Sequence, residues 1–390
     1  MTFLRLGIAA LCGALLAGTA PVAVTASDRA RGALVSDTLI AEYDAGQVGA
    51  YLTGSGLDPV RARYAVDAHR IVYRTVDPHG RPTTASALVA VPRRPDRTLP
   101  QVTWLHGTTA YRGSVASVRD GSDRAAVLLF ASAGFLTTAP DYLGLGTGPG
   151  FHPYAHAAST VTAAIDALRA ARPVAARAGH HPDPRVHVTG HSQGGHATMA
   201  LGRALQQGAD PRLRPGGLAP IAAPLRPSTL IADAVDGRIA NGVAYLAYWT
   251  VAWNRIHGLY RTPAEAFRDP SVEALFDGDH RNEDIFPRLP ATVAELFTPA
   301  YLARVRHPDG VVRAALAEAD RYCDWRPRVP VRLYASTGDR DVPISNSADC
   351  LRRLGERGAD ATLVDLGTTV DHGMAPELAL PRILTGFLEP

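Results

Sequence analysis

The stretch Gly190-His-Ser-Gln-Gly-Gly195 follows Arg185-Val-His-Val-Thr189, where β-branched residues alternate, and precedes His196-Ala-Thr-Met-Ala-Leu201, where small and apolar residues suit a helix. It reads as a strand, a sharp turn and a helix. A serine at the tip of so tight a turn is driven to positive φ, and the residues two before and two after it have no room for side chains. Gly190 and Gly194 meet that requirement around Ser192, which is therefore a candidate nucleophile. The same turn constrains the fold, because its strand must sit in a sheet with the following helix packed on one face.

The rest of the chain repeats that alternation. His69–Val76 and Thr83–Val91, joined by Asp77-Pro-His-Gly80, read as an antiparallel hairpin. Further strands are expected at 100–105, 135–140, 217–223, 329–335 and 361–366. Helices are expected at 124–133, 159–178 with Ser159 as N-cap, 347–357 and 377–388. Strands separated by helices predict an α/β fold: a mostly parallel central sheet with helices on both faces. Residues 27–65 carry helical hints around Leu52, Val60 and Ala62 and are expected to pack as an N-terminal extension. Between 235 and 324 the strands stop, and Tyr245, Tyr248, Trp249 and Trp253 recur at helical spacing. Such an inserted, mainly helical segment is expected to form a cap over a site. The expected organisation is a leader over 1–26, a core in two parts over 27–234 and 325–390, and the cap over 235–324.

The leader has one charge, Arg5, an apolar run from Leu6 to Leu16 and small residues through Val24-Thr25-Ala26, which suits signal-peptidase cleavage after Ala26. Gly7, Gly13, Gly18 and Pro21 interrupt it, leaving the unbroken part short for a bilayer span. Removing it leaves 39 arginines against 37 acidic residues, a net charge of +2 with no basic run, which excludes an electrostatic nucleic-acid binder. Cys323 and Cys350 are then the two remaining cysteines, and in an exported chain an even pair suggests a disulfide; two free buried thiols are the alternative.

A serine hydroxyl needs a general base, usually a histidine oriented by a carboxylate. With a turn of this kind the order along the chain is serine, acid, histidine. Beyond the strand at 329–335 only one of the fourteen histidines remains, His372 in Val370-Asp-His-Gly373. Asp339 and Asp341 both lie in the loop after that strand, and Asp371 follows the wrong one. Acyl transfer also needs donors for the oxyanion. The Gln193 backbone N–H at the helix start is one, and the loop His106-Gly107-Thr108 after the third strand supplies the other, with Thr108 chosen by position.

Together, His106-Gly-Thr108, Pro140-Asp-Tyr-Leu-Gly-Leu-Gly146, Gly190–Gly195, Gly338-Asp-Arg-Asp-Val-Pro343 and Asp371-His372 resemble the α/β-hydrolase superfamily, and within it the secretory lipase family that includes fungal lipase A. Asp339 opens an Asp-x-x-Val-Pro stretch similar to the acid loop of many α/β-hydrolases and is preferred; Asp341 would then shape the turn. The resemblance implies a secreted, cofactor-free esterase or lipase with an acyl-enzyme intermediate, acting on small-molecule or lipid esters held under the cap, with transient contact between cap and lipid interface. A serine peptidase, an acyltransferase or a silent hydrolase fold used for binding are the alternatives.

Other signals are weaker. The alternating glycines from 144 to 150 do not fit a dinucleotide fingerprint. His180-His-Pro-Asp183 and Asp277–Asp284 contain metal-ligand residue types without zinc spacing or the glycine of a calcium loop, so no metal is expected. Asp141 and Tyr142 read as pocket-lining or turn-stabilising, and His191 and His196 as packing residues.

Overall fold

The computed structural model describes residues 31–389, so the expected leader over 1–26 lies outside the described residues. Nine strands form one sheet in the order β1-β2-β3-β5-β4-β6-β7-β8-β9. They are β1 (Leu34–Tyr43), β2 (Val66–Val76), β3 (Pro82–Pro92), β4 (Thr98–Leu105), β5 (Leu136–Pro140), β6 (His181–His191), β7 (Arg214–Ile221), β8 (Val331–Ala335) and β9 (Ala361–Asp365). The hairpin runs in unbroken antiparallel register from Val66 opposite Pro92 to Val76 opposite Pro82. Asp77 closes its turn by accepting hydrogen bonds from the backbone of His79 and Arg81. β3 joins β5 antiparallel, and from β5 to β9 every pairing is parallel.

A parallel sheet must be covered on both faces. Helices α1 (Ala45–Gly54), α2 (Ser122–Ser132) and α13 (Ala375–Leu388) bury Leu52, Phe130 and Ile383 against one face. On the other, α3 (Ala157–Arg177), α4 (Gln193–Gln206) and α12 (Ser345–Glu356) bury Leu168, Met199 and Leu354. Between β7 and β8 come seven α-helices, from α5 (Pro227–Val235) and α6 (Gly242–His257) through short α7 to α10 (Pro263–Ala266, Asn282–Ile285, Val293–Leu296, Pro299–Arg306) to α11 (Gly310–Ala319). They gather a separate apolar cluster that takes in Ala110, Tyr154 and the half-buried Ala155 from outside the insertion.

Two expectations are corrected. Residues 27–65 hold an edge strand, β1, as well as helix α1. β1 has no fully buried residue and no period-two pattern, because one edge is free and its pairing with β2 is broken by two irregularities. Ser159 is not the cap of its helix: α3 starts at Ala157 after His156, and Ser159 Oγ instead bonds His156 Nδ1 at 2.7 Å.

Candidate active site

The carboxyl ends of β4, β6, β8 and β9 converge on one edge of the sheet, where open α/β sheets bind ligands. Ser192 occupies the turn between β6 and α4 with φ 54° and ψ −115°. Its N–H donates to Ile221 O at 2.9 Å, and its carbonyl accepts from Gly195 N, which starts the helix. A Cβ on Gly194 would stand 1.9 Å from Leu105 O, and one on Gly190 would stand 2.5 Å from the same oxygen. Only glycine lets β4 approach the turn this closely. Among the described residues four non-glycine residues have positive φ: Ser192, Tyr142, Ala155 and Ala222. Tyr142 follows β5 and Ala222 follows β7, both at this edge, so the backbone strain concentrates where the candidate site lies.

His372 Nδ1 lies 2.7 Å from Asp339 Oδ2, and the Asp339 side chain has no exposure. An ionised carboxylate only accepts, so Nδ1 carries the proton and a neutral His372 keeps a lone pair on Nε2. Asp339 Oδ1 accepts from the backbone N–H groups of Asp341 and Val342 at 2.8 and 2.9 Å, which fixes the carboxylate plane. Asp341 points elsewhere. Its Oδ1 accepts from Asn241 N and Nδ2 at the start of α6. Asp371 accepts from Met374 N and stays a loop residue.

The two loops are pressed together. Ser336 Oγ donates to Val370 O at 2.6 Å, and a Cβ on Gly338 would stand 2.5 Å from Thr368 O. His191 Nε2–H donates to His372 O at 3.0 Å, and the two rings lie 4.7 Å apart. Burial and the neighbouring His372 hold His191 well below the usual imidazole range, so it remains neutral beside the pair. Among the described residues no hydrogen bond joins Ser192 Oγ to His372, a contact that in hydrolases often tightens only when substrate arrives.

The loop after β4 lies against the turn, since a Cβ on Gly107 would stand 3.7 Å from Ser192 Cβ. Thr108 is held by residues distant in sequence. Its Oγ1 bonds Tyr154 Oη at 3.0 Å and its carbonyl accepts from Asn282 Nδ2 at 3.3 Å. Asn282 Oδ1 in turn accepts from Ala110 N, and Tyr248 Oη donates to Thr109 O. Tyr154 and Tyr248 stack with centroids 4.3 Å apart, and burial pushes the Tyr154 phenol up to about 12. Gln193 opens α4, and its Nε2 donates to His152 Nε2 at 2.9 Å. His152 Nδ1–H is used on Leu143 O, and burial lowers its pKa to about 3, so it accepts from Gln193 as a neutral ring.

Sequence reasoning missed Tyr154, Asn282, His152 and Ser336, none of which carries a local motif, and read Tyr248 only as one of the aromatics at helical spacing. Asp141 and Tyr142 turn out to brace the loops. Buried Asp141 accepts from Ser86 Oγ and Ser117 Oγ, its pKa raised by burial, and Tyr142 Oη donates to His106 O. Cys323 and Cys350 form a disulfide with Cα atoms 5.3 Å apart, linking the end of the insertion to α12. Among the described residues no group of three or more His, Cys, Asp or Glu converges to hold a metal, and no helix is long and apolar enough to cross a membrane.

Under the insertion lies a cavity with Leu230, Ile231, Leu246, Trp249 and Trp253 in its apolar wall. Tyr154 also lines it and connects it to Thr108.

Known proteins share this architecture. The esterase LipA from Xanthomonas oryzae, which degrades rice cell wall, superposes in a ligand-bound form with TM-score 0.80 and 29% identity over 92% of this chain and 97% of that one. A Legionella pneumophila protein put forward as a hydrolase gives TM-score 0.85 at 25% identity, over 91% of this chain and 97% of its own. Candida antarctica lipase A gives TM-score 0.66 at 13% identity over 93% of this chain and 84% of that one, a likeness of fold. No match is found among curated proteins. The profile of the secretory lipase family matches residues 111–372, two thirds of the chain, which takes in the Ser192 turn, Asp339 and His372. The chain belongs to the secretory lipase family of α/β-hydrolases and is a carboxylic ester hydrolase.

Proposed function

We propose that the protein is a secreted serine esterase in which Ser192, His372 and Asp339 form the catalytic triad. The observation that carries this reading is the 2.7 Å bond from His372 Nδ1 to a fully buried Asp339, at the sheet edge where Ser192 stands in a strained turn. His372 Nε2 takes the Ser192 proton as Oγ attacks the ester carbonyl, and Asp339 holds the ring in the tautomer that makes this possible. The tetrahedral oxyanion is met by the backbone N–H of Gln193, with Thr108 as the second donor, and each such donor contributes about 3 kcal/mol to lowering the barrier. The imidazolium then protonates the departing alcohol. Water, deprotonated by the same imidazole, attacks the acyl-enzyme and releases the acid. No cofactor enters these steps.

The helical insertion acts as a cap, and the apolar cavity beneath it holds the acyl group. Of the exposed large apolar residues only Val311 belongs to this insertion, which favours dissolved small-molecule esters over an assembled lipid surface. Residues 1–26 direct export, consistent with the Cys323–Cys350 disulfide. The test is hydrolysis of nitrophenyl esters alongside peptide anilides and acyl transfer to added alcohols. Ester hydrolysis that dominates both, and is abolished in Ser192→Ala, is expected; preferential anilide cleavage or transfer would replace the esterase reading.

A further inference from the structure

The stretch Asp277-Gly-Asp-His-Arg-Asn282 of the insertion lies along the loop after β4 and is tied to it. Gly278 O accepts from Arg112 N at 2.8 Å, Asp277 O and Asp279 Oδ1 accept from the Arg112 guanidinium, and Arg281 sits over the Tyr111 ring. Asn282, the first residue of α8, takes hold of the part next to Gly107. Its Nδ2 donates to Thr108 O at 3.3 Å and its Oδ1 accepts from Ala110 N at 3.1 Å. With a carbonyl at one end and an N–H at the other, the amide has a single orientation. The loop here has no regular secondary structure, so side chains must satisfy its backbone groups. Three successive carbonyls are held in this way: Gly107 O by His106 Nδ1–H at 2.8 Å, Thr108 O by Asn282, and Thr109 O by Tyr248 Oη at 3.1 Å. Among the described residues the Thr108 N–H meets no acceptor. In a trans peptide the C=O and N–H point opposite ways, so drawing Gly107 O toward His106 turns the Thr108 N–H away from that ring. Asn282 holds the next carbonyl, and Thr108 is thereby pinned on both sides of its Cα.

We propose that Asn282 is a positioning residue for the oxyanion: through this one amide the insertion sets the aim of the Thr108 N–H, a donor that belongs to the core. This rests on the reading of Thr108 as the second oxyanion donor. Such a donor has to be aimed before the negative charge forms, because reorienting at that moment would consume the stabilisation it gives. Without Asn282, Thr108 O and Ala110 N–H turn to water and the loop samples other backbone angles. A displacement of about 1 Å can cost as much as 10²-fold in rate. The oxyanion exists only in the tetrahedral state, so the loss falls on kcat rather than on KM.

The test measures kcat and KM for nitrophenyl hexanoate, per serine titrated to completion with a fluorophosphonate, in the full-length wild type, Asn282→Ala, Asn282→Asp and Asp279→Ala. Asn282→Asp still accepts from Ala110 N but offers Thr108 O no donor, and an acid suits the first turn of a helix, so it folds even where alanine would not. Both Asn282 variants are expected to lose about thirtyfold in kcat with KM within about threefold of wild type. Asp279→Ala, which breaks only an exposed ion pair of the same stretch, stays within about twofold. Pentyl trifluoromethyl ketone supplies a readout that a looser fold would not move. Ser192 Oγ adds to its carbonyl carbon and the serine proton passes to His372, leaving an oxyanion with no leaving group to depart. Its inhibition constant should rise about thirtyfold in the Asn282 variants, in step with the loss of kcat, and that of hexanoic acid by less than about twofold. An unchanged kcat per titrated serine, a loss without matching weakening of the ketone, or an equal loss in Asp279→Ala overturns the proposal and leaves the esterase reading standing. A wild type that hydrolyses esters yet binds the ketone no better than hexanoic acid overturns the oxyanion role of Thr108 as well.

Discussion

Replacing Asp339 by asparagine separates the two acids of the loop after β8 and tests what the buried carboxylate does. Asp339 Oδ1 accepts from two backbone N–H groups at 2.8 and 2.9 Å, so the asparagine carbonyl must take that place to avoid setting donor against donor. Its NH2 then faces His372 Nδ1, where Oδ2 stood at 2.7 Å. The ring can pair with it only by accepting at Nδ1, which moves the proton to Nε2 and removes the lone pair that would receive the Ser192 proton. Loss of that tautomer is worth about 10⁴ in kcat, or about 5.5 kcal/mol in the barrier, with the fold left intact. In Asp341→Asn the side-chain carbonyl still accepts from Asn241, so kcat should stay within about tenfold of wild type. Steady-state hydrolysis of nitrophenyl butyrate, with thermal melting as a check on folding, decides the matter. A loss of less than tenfold in a folded Asp339→Asn, or a larger loss in Asp341→Asn, would refute the assignment.

The remaining expectations concern stability. Removing the Cys323–Cys350 bridge, which closes a loop with a sequence separation of 27, should cost about 3.5 kcal/mol on the chain-entropy account, visible as a lower urea midpoint; an unchanged midpoint would contradict it. His152 and His196 have native pKa values of about 3 and about 4 against 6.5 when unfolded, so between pH 6.5 and 4 the unfolded chain takes up protons that the folded one does not. Their contribution is therefore full above pH 6.5 and declines as pH falls through that window, by about 1.4 kcal/mol per unit for each group. His156 and His187, lowered to about 4, act the same way, so His196→Leu should lessen the slope of melting temperature against pH there by one group's share. In Gly194→Ala the new Cβ meets the Leu105 carbonyl at 1.9 Å, so destabilisation above about 4 kcal/mol or loss of soluble protein is expected, measured as soluble yield and melting temperature.

What was legible in the sequence followed local rules. The turn at Ser192 could be seen because it needs glycine at two fixed offsets, and the α/β sheet because helices and strands with different apolar periods alternate. His372 stood out by elimination. Asp339 and Asp341 were harder, since two residues of one loop differ only in where the turn aims them, and the aim is set by backbone bonds at Val342 and by Asn241, about a hundred residues away. β1 left no trace because an edge strand with no fully buried residue has no pattern to show. Tyr154 and Asn282 reach Thr108 across 46 and 174 residues, and that convergence is a property of the fold alone.

The central claim is that Ser192 is the nucleophile, and covalent labelling tests it most directly. Purified wild-type protein treated with a fluorophosphonate should lose esterase activity in step with the gain of one adduct, and peptide mapping should place that adduct on Ser192. Ser192→Ala should take up no label. A wild-type protein that hydrolyses esters yet resists the probe, carries the adduct on another residue, or is labelled equally well as Ser192→Ala would contradict the account.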